Sequence, residues 1–287
     1  MTVDKQGSEG DSPALPDLFL NIKSPAISLI LIPLMIYIIW VLDTFLLEGS
    51  TGTFTSYHPW SLILYTIIAG IFMGIIVPVF FLKSAFLSGA VNMFQIGFLS
   101  LRRTLLTVIC TALFGYLILI MIPPYNAQKM ALVGMTFLVF PSAIASVMVC
   151  WVIAGTHLQA YVRNYRTIVS ITAGVLATGI MFGLSFAAHS PPSNQPQTLL
   201  VVTGAGIASA LYFFSVREVW GTSIFVAFAL VLVLQGHVDP AYIAPVSPVT
   251  AGTAMLSVIA LAACRLYLSR RFITIRLPAG FGQKKEK

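Results

Sequence analysis

Apolar runs of membrane length alternate with short polar breaks along almost the whole chain. Eight such runs are legible: residues 26–47, 60–82, 104–122, 130–155, 167–188, 198–215, 219–235 and 249–268. A helix needs about 20 apolar residues to cross a bilayer, so each run predicts a transmembrane helix. The breaks have turn chemistry. Pro123 and Pro124 close the third run because proline cannot continue the helical hydrogen-bond ladder. The stretch HSPPSNQPQ at 189–197 and the proline-rich stretch at 236–248 read as surface loops, and 216–218 as a tight turn. Pro78 and Pro141 fall inside runs and should kink them. The fold class is therefore all-α, a polytopic integral membrane bundle of about eight transmembrane helices.

One connection departs from this alternation. In residues 84–101, Phe86, Ala90, Phe94 and Phe98 recur every four positions, with Ser84, Ser88, Asn92 and Gln95 largely opposite. That period predicts a helix lying in the membrane interface, bracketed by Lys83 and the Arg102–Arg103 pair. A re-entrant gate is the sharper alternative, but its polar face lacks charge. Gly70 and Gly74, Gly179 and Gly183, Gly204 and Ala208, and Gly206 and Ala210 place small residues four apart. Such spacing lets helix backbones approach closely, here inside one bundle, with dimerisation as the other use.

Composition fixes the solvent. The chain is 58% hydrophobic and 9% charged, where a soluble domain carries about 25% charged residues. One globular core cannot bury that much apolar surface, so lipid must cover it. The net charge of +7 could suggest nucleic acid, but the basic residues sit at the ends of apolar runs. If the N-terminus is cytoplasmic, 15 of the 16 lysines and arginines fall on that side and only Lys129 on the other. This bias predicts that both termini are cytoplasmic and that the partner is a bilayer with an anionic inner leaflet. Nucleic acid is not expected, and the plasma membrane is the expected location. Residues 1–25 read as a disordered cytoplasmic tail rather than a signal peptide, 26–268 as the transmembrane domain, and 269–287 as a basic cytoplasmic tail. Trp40 and Trp60 are expected near the outer interface, Trp151 and Trp220 near the inner one.

Charge inside the spans, normally the best functional pointer in membrane proteins, is nearly absent. Asp43 sits about one turn from the outer end of the first helix, with Glu48 just beyond it. No acid, lysine or arginine is expected at mid-membrane, which argues against a carboxylate-relay pump and a retinal protein. No histidine lies inside a span to bind haem iron. Phosphate-loop, HExxH, CxxC and GxSxG motifs are missing, and no cofactor is predicted. His58, His189 and His237 all fall on the outer side, together with Asp43, Glu48 and Asp239. The three histidines with Asp239 offer the ligand types that a divalent metal accepts. Their placement on three separate loops disfavours that use. Cys110, Cys150 and Cys264 read as small core residues.

The densest polar cluster ends the fourth run, in WVIAGTHLQAYVRNYR at 151–166. His157, Gln159, Arg163 and Arg166, with Arg102, Arg103, Arg217 and Glu218, are the candidates for a cytoplasmic docking surface. The function expected is a non-catalytic membrane subunit or permease-type component that hosts an apolar or uncharged ligand between helices, with other membrane subunits as candidate partners. The alternative is a membrane-embedded metal-dependent enzyme using the outer histidines and carboxylates.

Overall fold

The computed structural model describes residues 25–48, 58–87, 93–121, 129–162, 167–189, 196–234 and 247–271. All of the regular structure among them is helical. Helix α1 is Pro25–Glu48. Helix α2 runs continuously through Pro59–Tyr65, Thr66–Ile76 and Val77–Leu87. The one-turn helix α3 is Met93–Ile96, and α4 is Leu101–Met121. Helix α5 runs through Lys129–Ser146, Val147–Gly155 and Thr156–Tyr161. Then come α6 (Thr167–His189), α7 (Pro196–Val216), α8 (Val219–Leu234) and α9 (Pro248–Arg271).

Four helices, α1, α2, α7 and α9, open on proline. At a first helical position the missing N–H costs nothing and the fixed φ suits the helix. Ser247 adds a reciprocal cap to α9. Its Oγ accepts the Thr250 N–H at 3.1 Å while Thr250 Oγ1 accepts the Ser247 N–H at 3.2 Å.

Among the described residues, seven helices are long and apolar enough to cross a membrane: α1, α2, α4, α5, α6, α7 and α9. The seventh apolar run forms a helix too, but a shorter one. Helix α8 has 16 residues, which at 1.5 Å per residue span about 24 Å against a hydrocarbon core of about 30 Å. It is apolar all round, and Val219, Val226, Ala227, Leu230 and Val231 are buried, as expected of a helix enclosed by others. Helix α5 forms the centre. Its span is 83% buried, against 17% for the peripheral α4. Large apolar side chains stay exposed around the outside, among them Leu46, Leu106, Phe114, Ile168 and Leu200. Patches of that extent do not survive in water.

Close backbone approach explains most of the small-residue pairs. A Cβ on Gly74 would overlap the Ala145 Cβ, so α2 and α5 touch there. Gly179 and Gly183 meet Ile207 and Thr203 of α7 in the same way. Gly204 has nothing within 4 Å of its would-be Cβ and faces outward. Pro78 and Pro141 are accommodated within continuous helices. Residues 66–76, just before Pro78, form wide turns in which the Val77 N–H reaches back five residues to the Phe72 carbonyl. Widening relieves the clash between a proline ring and the carbonyl four residues earlier.

Two expectations are corrected. Trp40 and Trp151 are not interfacial anchors. Both are fully buried, with Trp40 Nε1 donating to the Ala69 carbonyl at 3.2 Å and Trp151 packed 5.2 Å from the Phe182 ring. Trp60 is exposed, as a belt residue should be. Nor is 84–101 a single interfacial helix. Residues 84–87 continue α2, α3 is one turn, and Gly97 takes φ +87°, which ends it. Ile96 and Phe98 are buried in the bundle rather than laid on lipid.

Candidate functional site

The turn joining α7 to α8 organises one end of the bundle. Helix α7 ends with Arg217 in the left-handed region at φ 55°, and the Arg217 N–H donates to the Phe213 carbonyl at 2.6 Å. Glycine usually holds that position, because a side chain there costs about 1 kcal/mol. The Arg217 side chain offsets the cost. One guanidinium nitrogen donates to the Gln95 carbonyl at 3.2 Å and the other to Gln159 Oε1 at 2.5 Å. The guanidinium carbon lies 4.9 Å from the Phe214 ring centre and 5.8 Å from that of Phe213, a cation–π arrangement. Burial lowers the Arg217 pKa, but a guanidinium remains charged.

A second arginine repeats the motif. Arg265 of α9 donates to the Leu99 carbonyl at 2.6 Å and to Thr104 Oγ1 at 3.4 Å, and the Val219 N–H donates to the Gly97 carbonyl at 3.0 Å. The stretch from the end of α3 to the start of α4 thus presents the carbonyls of Gln95, Gly97 and Leu99 in series. The α7–α8 turn, α8 and α9 each take one up. Carbonyls freed where a short helix ends must find donors, and here they find them on distant parts of the chain.

Glu218 is the unusual member. Its exposure is 0%, and it caps α8, with Oε2 accepting the Gly221 N–H at 2.5 Å. Oε1 has no hydrogen-bond partner among the described residues. The Thr104 and Thr107 hydroxyls lie close enough to favour the charged form. Each hydroxyl has one proton, however, and that of Thr107 goes to the Arg103 and Thr104 carbonyls, both at 2.9 Å. Arg217 is turned the other way, its hydrogen bonds running to α3 and α5. Burial therefore pushes the Glu218 pKa up, against the opposing pull of the Gly221 and Trp220 amides and the two threonines.

The predicted docking residues divide into three groups. His157, Gln159 and Glu218 are buried, so they face the interior rather than a soluble partner. Gln159 Oε1 and Arg217 join two of the three expected segments directly. His157 Nδ1 lies 2.8 Å from the Ile153 carbonyl, and since a carbonyl only accepts, Nδ1 carries the proton. Arg102 and Arg103 are exposed at the start of α4. Arg163 and Arg166 lie outside the described residues. Of the predicted metal ligands, His58 is exposed just before α2. The His189 side chain, His237 and Asp239 lie outside the described residues. Among those described, no three His, Cys, Asp or Glu side chains come together to hold a metal.

A crevice lies open between α4 and α8. It encloses about 70 Å³ and is walled by Thr111, Phe114, Gly115 and Ile118 of α4 and by Phe225, Phe228, Ala229 and Leu232 of α8. Gly115 makes the crossing possible, since a Cβ there would run into the Phe228 ring. Thr111 is the single polar wall residue, and its hydroxyl is taken by Tyr212 at 2.6 Å. Nothing in the sequence distinguishes this groove from other helix contacts. Comparison of the chain with protein-family models, with curated proteins and with solved structures finds no match.

Proposed function

We infer that the chain is a non-catalytic, multi-pass membrane component that hosts an apolar chain, such as a lipid acyl segment, between α4 and α8. Its Arg217 end faces the cytoplasm, in keeping with the distribution of lysine and arginine. The observation that carries this reading is the crevice. Its walls are apolar apart from a hydroxyl that is already bonded, so it offers dispersion contact and no charge to a ligand. Phe114 on its rim is 60% exposed, so the opening faces the surface that lipid would cover.

The test is to count phospholipids retained by purified protein, by mass spectrometry of the intact complex. Ala229→Phe places a ring in the crevice and should lower the count by one. Ala229→Leu, a smaller fill, should lower its occupancy. Unchanged retention in Ala229→Phe would overturn the reading.

A further inference from the structure

We propose that the α4–α8 groove binds one anionic phospholipid lengthwise, with its phosphate on Arg102 and Arg103 and an acyl chain in the crevice. This rests on the hosting function inferred above and adds a headgroup to it. The arginines at this end divide by what they hold. Arg217 and Arg265 are committed to the carbonyls of Gln95 and Leu99. Arg102 and Arg103 are exposed, and neither guanidinium has a partner among the described residues. They also stand in the first turn of α4, which contains no acid. Cations are unfavourable there because the helix dipole is positive at that end. An anion resting on the pair relieves both repulsions, and a guanidinium fork fits a phosphate in two-point fashion.

Position along α4 links the pair to the crevice. Arg102, Leu106, Cys110 and Phe114 are spaced four apart on one exposed helix face, and Phe114 is a wall of the crevice. At 1.5 Å per residue, Thr111 lies about 12 Å and Ile118 about 22 Å below Arg103. One leaflet spans roughly 20 Å from headgroup to midplane. A phosphate at Arg103 therefore brings the distal part of its own acyl chain to the crevice wall. Above the crevice α4 and α8 close on each other, with Thr107 against Gly221 and Thr111 on the Tyr212 hydroxyl, so the acyl chain enters from the exposed flank of α4 past Phe114.

The experiment uses full-length protein in a bilayer disc of equal phosphatidylglycerol and phosphatidylcholine, with bound lipid identified by mass spectrometry after extraction into detergent. Each arginine near a membrane surface contributes about fivefold to anionic binding, so the wild type should prefer phosphatidylglycerol by roughly thirtyfold at the site. Arg102→Gln with Arg103→Gln should bring that preference close to even while a lipid is still retained. Arg102→Lys with Arg103→Lys keeps the charge and should retain most of the preference, which separates charge from misfolding. Lys83→Gln, a cation on another helix, should change nothing. An undiminished preference in the double glutamine variant overturns the headgroup assignment and leaves acyl hosting standing. Full lipid retention in Ala229→Phe overturns both.

Discussion

Arg217 allows a cost and a gain to be measured at one residue. Its backbone holds a left-handed conformation while its side chain ties the end of α7 to Gln95 and to Gln159. Hydrogen bonds from a charged donor contribute about 1.5–3 kcal/mol each when buried. The guanidinium is half-buried, so water recovers part of the loss, and Arg217→Ala should cost about 2–4 kcal/mol. Arg217→Gly loses the same contacts but relieves about 1 kcal/mol of backbone strain. It should therefore lie between alanine and wild type. Arg217→Lys can reach one acceptor and should recover about half. The assay is the apparent Tm of detergent-solubilised protein, followed by loss of the monodisperse peak after heating. At about 2–4 °C per kcal/mol for a chain of this size, Arg217→Ala should melt roughly 5–15 °C early. A double-mutant cycle with Gln159→Ala should show coupling of about 0.5–3 kcal/mol. If Arg217→Gly is as stable as wild type, the side chain holds nothing together and the interhelical clamp is wrong.

Gly74→Val should destabilise by about 1–3 kcal/mol because its Cβ would overlap Ala145, whereas Gly204→Val, with open space around it, should leave the apparent Tm within about 2 °C. Similar losses for both would remove the packing explanation of the small-residue pairs. Glu218 predicts a pH dependence. Its folded pKa is raised above the ordinary value of 4.5 by burial, so the folded state holds the proton more tightly than the unfolded state. Its contribution is fully present below about pH 4.5 and is lost as pH rises through the folded value. Apparent Tm should fall across that window in wild type and stay flatter in Glu218→Gln, which keeps an oxygen for the Gly221 N–H. Equal slopes in the two proteins would place the titrating group elsewhere.

Spans are the legible part of this chain, because an apolar run of about 20 residues has few other uses. Helix starts are nearly as clear: Pro59 and Pro248 mark the first turns of α2 and α9 within a residue of the apolar runs. Burial at the helix ends is not legible. Glu218 and Gln159 look like surface polars from their neighbours, and only the folding of α4, α6 and α7 over them encloses their side chains. The segment 84–101 has a helical period, but Gly97 ends the helix and three donors distant in sequence claim the carbonyls around it. Trp40 and Trp151 have the composition of belt residues and the position of core residues, a distinction made by tertiary packing alone. The crevice has no sequence signal, since its walls are the ordinary apolar residues of two helices.

The arrangement of the chain across the membrane is the central claim, and cysteine labelling in intact cells tests it most directly. With Cys110, Cys150 and Cys264 replaced by alanine, single cysteines at Ser50, Gln128, Ser193 and Gly282 are exposed to a membrane-impermeant maleimide. Ser50→Cys, Gln128→Cys and Ser193→Cys should be labelled from outside, and Gly282→Cys only after the cells are opened. Labelling of Gly282→Cys in intact cells, or protection of the other three, would contradict the orientation on which the cytoplasmic placement of Arg102, Arg103 and Arg217 depends.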